Sequence, residues 1–160
     1  MEYDLQFNQL IKFTDSNNNV TSYELDDSGN IAKQIQGEGT IEELVVTYTY
    51  NQQGQVATIT DELNRVTKYS YYDGGSEQGL LQKIEFPDET TNQFAYDGAG
   101  NLVSFTNERG QVTTYTYDGL NRLETETLPA VNGEIPDTTY EYDAAGNVTK
   151  VIDANRIPHL

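Results

Sequence analysis

The sequence predicts an all-β protein, an antiparallel meander of β-hairpins, and three observations carry that expectation. Short turn motifs of Asp, Asn and Gly recur every 10 or 11 residues, at Asp4, Asp15 and Asp26 and again at Asp97, Asn107 and Asp118. The segments between them are rich in Thr, Tyr, Val, Phe and Leu, residues that suit a pleated, half-buried surface. No stretch has the 3.6-residue apolar period of a helix. Removing a turn of about four residues leaves strands of about six, the common length, and roughly thirteen of them.

Residues 94–123 state the pattern twice. Tyr96-Asp97-Gly98-Ala99-Gly100-Asn101-Leu102 and Tyr117-Asp118-Gly119-Leu120-Asn121-Arg122-Leu123 share the form Tyr-Asp-x-x-(Gly/Asn)-x-apolar, 21 residues apart. Asp-x-x-Gly reads as a type I turn followed by a left-handed residue, which forms a bulge. Asp or Asn at the first position can accept the backbone amide two residues on. Gly or Asn at the fourth accepts positive φ at least cost. Pairing across this turn sets Tyr117 opposite Leu123, Tyr96 opposite Leu102 and Tyr142 opposite Val148. Such aromatic–aliphatic pairs contribute roughly 0.2–1 kcal/mol each. Between the two copies, Asn107 to Val112, with Gly110, repeats the turn without the tyrosine.

The same two kinds of turn alternate along the chain. Tyr3-Asp4 to Leu10 is the first kind with one extra loop residue, and Asp15 to Val20 is the second kind. Leu25-Asp26 with Gly29 is the first kind with Leu for Tyr, and Tyr50-Asn51 with Gly54 has Asn for Asp. Asp61 to Val66 is again the second kind. Tyr71-Tyr72-Asp73 opens a longer loop, 74–79, and residues 87–90 make a further turn. A second long connection spans 129–136, Tyr142-Asp143 with Gly146 closes the series, and 153–156 starts one more turn.

A fixed period means each unit is stabilised by its neighbours. The expectation is one array over residues 1–160, a segment of a longer repeat protein, forming a twisted strip that coils or spirals. Its terminal strand edges invite weak edge-to-edge self-association. Parity leaves two alternatives. Counting through Asn107 puts Tyr115 and Tyr117 on the face opposite Tyr96, so either a bulge resets the alternation or both faces carry aromatics.

Composition excludes several function classes. The 160 residues carry 26 acidic and 9 basic side chains, a formal charge of −17, against binding nucleic acid or an anionic membrane surface. With no Cys there is no disulfide framework, and no apolar run is long enough for membrane insertion. His159 reads as part of a frayed tail rather than a catalytic or metal-binding group. Asp15-x-Asn17-x-Asn19 echoes a calcium loop, but Val20 stands where such a loop needs Gly. Asn19-Val20-Thr21 and Asn147-Val148-Thr149 match the glycosylation sequon but overlap turn positions. No catalytic, metal or cofactor constellation emerges. Tyr48, Tyr115 and Tyr140 are candidates for stacking on carbohydrate rings.

The Tyr-Asp motifs resemble the Rhs/YD-repeat family. The pairs are Tyr3-Asp4, Tyr72-Asp73, Tyr96-Asp97, Tyr117-Asp118 and Tyr142-Asp143, recurring over nearly the whole chain. The resemblance implies a spiralling β-strip, a segment of a hollow shell in longer members such as bacterial polymorphic toxins, insecticidal toxin cocoons, wall-associated proteins and teneurins. It implies a non-enzymatic structural module at a secreted or cell-surface location. Its partners would be adjacent repeats of the parent chain and an enclosed toxin polypeptide. The alternative is a carbohydrate-binding adhesion module using exposed tyrosines. Leu25-Asp26 and Tyr50-Asn51 depart from the motif, and the self-cleaving segment of toxin members has no counterpart here.

Overall fold

The computed structural model describes residues 1–153 and, for the backbone, 158–159. Among the described residues there are fifteen strands and no helix. Thirteen strands, β2 to β14, are five to seven residues long, and the outermost two have two residues each.

The chain divides into two compact units, Met1–Tyr69 with Phe86–Asp88, and Ser70–Glu85 with Glu89–Leu160. The first holds β1 (Glu2–Tyr3), β2 (Leu10–Thr14), β3 (Val20–Leu25), β4 (Ile31–Gln36), β5 (Leu44–Tyr50), β6 (Val56–Thr60) and most of β7 (Val66–Tyr71). Each pairs antiparallel with the next in sequence. The second holds β8 (Leu81–Glu85), β9 (Thr91–Tyr96), β10 (Leu102–Thr106), β11 (Val112–Tyr117), β12 (Leu123–Thr127), β13 (Asp137–Tyr142), β14 (Val148–Ile152) and β15 (Pro158–His159). These too pair in sequence order. The fold is therefore an antiparallel meander. One expectation is corrected at its end: the backbone at His159 is not a frayed tail but pairs with Val151 of β14. The turn expected at 153–156 lies, from 154 on, outside the described residues.

The hairpins fall into two registers. Tyr96 faces Leu102, Tyr117 faces Leu123 and Tyr142 faces Val148, and in each case the pairing shifts by one residue just beyond. The extra residues are Val103, Glu124 and Thr149. Tyr3, Leu25 and Tyr50 show the same shift opposite Leu10, Ile31 and Val56. Hairpins of the second kind, closed by Thr14↔Val20, Thr60↔Val66 and Thr106↔Val112, show none.

These bulges settle the parity question. Because Val103 is extra, Leu102 and Phe105 lie on one face instead of opposite ones, and Phe105 pairs with both Phe94 and Thr113. Thr113, Tyr115 and Tyr117 therefore share a face with Phe94 and Tyr96. In the second unit this face carries Phe94 and Phe105, with ring centroids 5.2 Å apart, then Tyr115, Tyr117, Tyr140 and Tyr142. The other face carries Ser104, Thr114 and Thr127 in one row and Thr116, Thr125 and Thr139 in another. In the first unit the polar face pairs Glu24 with Lys33 and Thr49 with Thr58, whose hydroxyls lie 2.7 Å apart.

The aromatic face is not a closed core. Among the described residues no hydrophobic side chain is buried outright. Its rings are half-buried against one another, so stability comes from side-by-side contacts between repeats rather than from a packed interior.

Candidate functional site

The chemistry of this chain is concentrated in the turn tips, and it is the chemistry of holding hairpins. At Asp97 the amide of Gly100 donates to the Asp97 carbonyl at 3.0 Å, and the Asp97 amide to the Asn101 carbonyl at 2.9 Å. The side chain brackets the loop from inside: Oδ1 accepts the amides of Ala99 and Asn101, both at 2.9 Å, and Oδ2 accepts Asn101 Nδ2 at 2.9 Å. Gly100 sits at φ +87°, as the left-handed position requires.

This bracket recurs along the chain, at Asp15, Asp26, Asn51, Asp61, Asp97, Asn107, Asp118 and Asp143. Sequence reasoning supplied the amide two residues on and missed the residue four on, which follows a donor–acceptor rule. An Asp is met by a donor, Asn19, Asn30, Asn101 or Asn147, or by the guanidinium of Arg65 or Arg122. Asn51 and Asn107, which own a donor, face the acceptor oxygens of Gln55 and Gln111. That covariation is visible within the single sequence.

These bonds hold the carboxyls of Asp15, Asp26, Asp97, Asp118 and Asp143 below the usual carboxylate range, mainly through the side-chain donor four residues on. For Asp61 the largest cause is the Arg65 backbone amide. Both Asp15 oxygens are engaged by Asn17 and Asn19, so turn bonding accounts for the calcium-like spacing. Among the described residues no cluster of three or more metal-ligating side chains occurs. No helix among the described residues is long and apolar enough to cross a membrane.

The tyrosines do more than face an aliphatic partner. Tyr50, Tyr117 and Tyr142 donate their hydroxyls to the backbone carbonyls of Ile31, Leu102 and Leu123 at 2.8, 2.9 and 2.8 Å. Each acceptor is the first strand residue after the preceding Tyr-Asp-type turn, so the hydroxyl is a rung between successive hairpins. Burial pushes the phenols of Tyr50 and Tyr117 up, keeping the donors protonated. The turns also touch directly: Asn101 Nδ2 donates to Asn121 Oδ1 at 3.1 Å, and Arg122 donates to the Asp143 carbonyl at 3.1 Å while stacking 4.5 Å over the Tyr142 ring. The rungs escaped sequence reasoning, although the preference for Tyr over Phe at these positions was a signal.

Two predicted sites sit differently. Tyr71, not Tyr72, ends β7, and the Tyr72 amide bonds the Leu80 carbonyl as Asp97 bonds Asn101. Tyr72 thus holds the first turn position, its hydroxyl donating to the Phe94 carbonyl at 3.0 Å and its ring edge-on to Tyr96 at 6.2 Å, while Asp73 is exposed in the loop. In the first loop Asp4 accepts the amides of Gln6 and Phe7, and Tyr3 is 53% exposed. The proposed sugar-stacking residues Tyr48, Tyr115 and Tyr140 are half-buried rather than exposed. Tyr48 lines an open recess of about 650 Å³ with Asp26, Ser28, Asn30, Tyr50 and Asn51.

Comparison with known proteins points the same way as the turns. The RHS repeat family model matches residues 96–130 and 130–157. Among solved structures, the chain is similar to one in a TcdB2-TccC3-Cdc42 crystal structure, with TM-score 0.78 and 23% identity over 92% of its length. It is similar to a chain of a Photorhabdus luminescens Tc holotoxin pore carrying a TccC3 mutation, with TM-score 0.77 and 22% identity over 96% of its length. At such identities the likeness shows the fold. In both cases the chain spans only 9% of the matched chain. No curated protein matches the sequence.

Proposed function

We propose that this chain, which belongs to the Rhs/YD-repeat family, is a non-enzymatic wall segment of a longer secreted shell that encloses a toxin polypeptide. The observation that carries the reading is the absence, among the described residues, of any outright buried hydrophobic side chain, together with hydroxyl rungs joining hairpin to hairpin. A layer held together that way extends by adding repeats and shields what lies behind it. The likeness to chains of Tc toxin structures supports the same reading. The test exchanges the matching segment of such a shell-forming chain for this one. Protease resistance of the enclosed polypeptide is the expected result; cleavage as fast as that of the free polypeptide would end the proposal. Weak edge-to-edge association of the isolated chain, opposed by its charge of −17, belongs to the same reading. Light scattering across a salt series should show it growing as screening rises.

A second reading, carbohydrate binding, is favoured only by the Tyr48 recess, where two tyrosines stand beside Asp, Asn and Ser side chains. The chain has no Trp, so tyrosine fluorescence reports binding directly. Titration with neutral oligosaccharides should then give a saturable change that Tyr48→Ala abolishes, and a flat titration removes the reading.

A further inference from the structure

Successive Tyr-Asp-type turns are coupled by a hydroxyl rung at Tyr50, Tyr117 and Tyr142. The first two turns of the chain cannot be. Leu25 ends β3 as Tyr117 ends β11, and the hairpins leading to them share one register: Lys12↔Ser22, Phe13↔Thr21 and Thr14↔Val20 match Ser104↔Thr114, Phe105↔Thr113 and Thr106↔Val112. A rung from position 25 to the Leu10 carbonyl would correspond to the one from Tyr117 to Leu102. Leucine has no hydroxyl to make it.

The first loop has what the others lack. It is one residue longer, running from Asp4 to Gln9 where the second runs from Asp26 to Asn30. Within it Leu5, Gln6, Asn8 and Gln9 are exposed, Leu5 completely at 101%, while Phe7 alone is tucked in. The Phe7 amide is pinned to Asp4 Oδ1 at 2.7 Å, and Asn8 at φ 52° turns the chain back toward β2. The ring lies on Gly29 of the second turn, so close that a Cβ there would meet Phe7 Cδ1 at 2.6 Å. Gly29 is the one buried residue among those described.

We infer that Gly29 forms a socket for an aromatic side chain and that Phe7 is its occupant, replacing the hydroxyl rung lost at Leu25. The extra loop residue and the missing tyrosine are then two halves of one substitution in the coupling of hairpins. Gly29 is constrained twice, by its φ of +85° and by the ring above it, whereas Gly100 at φ +87° has nothing within 4 Å of the Cβ position. Gly100 is therefore an internal control in which only backbone strain acts.

Site-resolved amide hydrogen exchange on the full chain tests this through β1 and β2. Phe7→Ala should accelerate their exchange about tenfold, the scale of local opening when a docked side chain is lost, and Leu5→Ala should not. Adding Leu25→Tyr to Phe7→Ala should slow the exchange again by supplying the absent rung. Gly29→Ala should perturb its turn more than Gly100→Ala perturbs its own, and that excess should vanish in a Phe7→Ala background. Phe7→Ala behaving like Leu5→Ala, no recovery with Leu25→Tyr, or equal effects of the two glycine substitutions would each overturn the inference.

Discussion

The hairpin tipped by Asp97 and the one tipped by Asn107 are neighbours with the same turn and different consequences. Both bracket the loop with an Asx side chain, and both put glycine in the left-handed region, Gly100 at φ 87° and Gly110 at φ 73°. Only the Asp97 hairpin carries a bulge, at Val103, and only its Leu102 carbonyl receives a hydroxyl from the next hairpin. The tip makes a turn, while the tyrosine, the bulge and the rung make a repeat. The Tyr-Asp dipeptide marks the ends where hairpins are coupled, and the intervening turns reverse the chain with no bulge.

The largest effect should come from shifting the parity where no bulge absorbs it. Deleting Thr114, in a stretch of β11 that pairs with β10 residue for residue, puts Tyr115 and Tyr117 on the face opposite Phe105 and Thr113. The expected outcome is loss of the folded second unit, seen as loss of the near-ultraviolet tyrosine circular dichroism signal. Deleting Val103 removes only the extra residue and leaves Phe105 opposite Phe94, so that variant should keep the signal. Equal loss in the two variants would assign the parity reset elsewhere.

The tips come next and should not distinguish the two hairpins. Gly100→Val and Gly110→Val each force a β-branched residue to positive φ, at about 1–3 kcal/mol. Gly100→Asn should cost less, since Asn18, Asn64 and Asn121 hold φ of 65°, 59° and 59° in equivalent turns. Denaturant midpoints for the three variants check the ranking.

The rung is smaller still. Tyr117→Phe removes one hydroxyl and leaves the Leu102 carbonyl without it, a loss of about 0.5–1.5 kcal/mol. Tyr115→Phe, on the same face but not a rung, should change the midpoint far less. Equal shifts would mean that the hydroxyl bond contributes nothing.

Acid sharpens the comparison most finely. The Asp97 carboxyl titrates below its ordinary value of 3.8 when folded, chiefly because Asn101 donates to it. Its contribution is therefore complete above that value and is lost as pH falls through the depressed pKa. Asn107 does not titrate. Exchange of the Ala99 and Asn101 amides should accelerate below about pH 4, while those of Arg109 and Gln111 lag behind. Asp97→Asn should abolish the difference.

What the sequence made legible was local. Turn positions, the left-handed fourth residue and the facing of Tyr117 with Leu123 follow from spacing within seven residues. Nor was the strand count hard to reach, because turns of nearly constant length leave little freedom between them. The bulge was harder: Leu102-Val103-Ser104-Phe105 offers an apolar residue in either phase, so alternation alone cannot say where it breaks. The rungs were hidden because their acceptors are backbone carbonyls 15 or 19 residues away, with no side-chain identity to betray them. At 71–73 a doublet of tyrosines before Asp73 left two registers open, and the Tyr-Asp dipeptide pointed to the wrong one.

Cysteine scanning across β10 and β11 tests the central claim, that a bulge such as the one at Val103 gathers the aromatics onto one face. The chain has no native cysteine to interfere. The bulge predicts slow thiol labelling of Leu102→Cys, Phe105→Cys and Thr113→Cys and fast labelling of Ser104→Cys, Thr114→Cys and Thr116→Cys, with the phase broken at Val103. Labelling in which Leu102→Cys and Ser104→Cys react alike and Phe105→Cys reacts oppositely would contradict it.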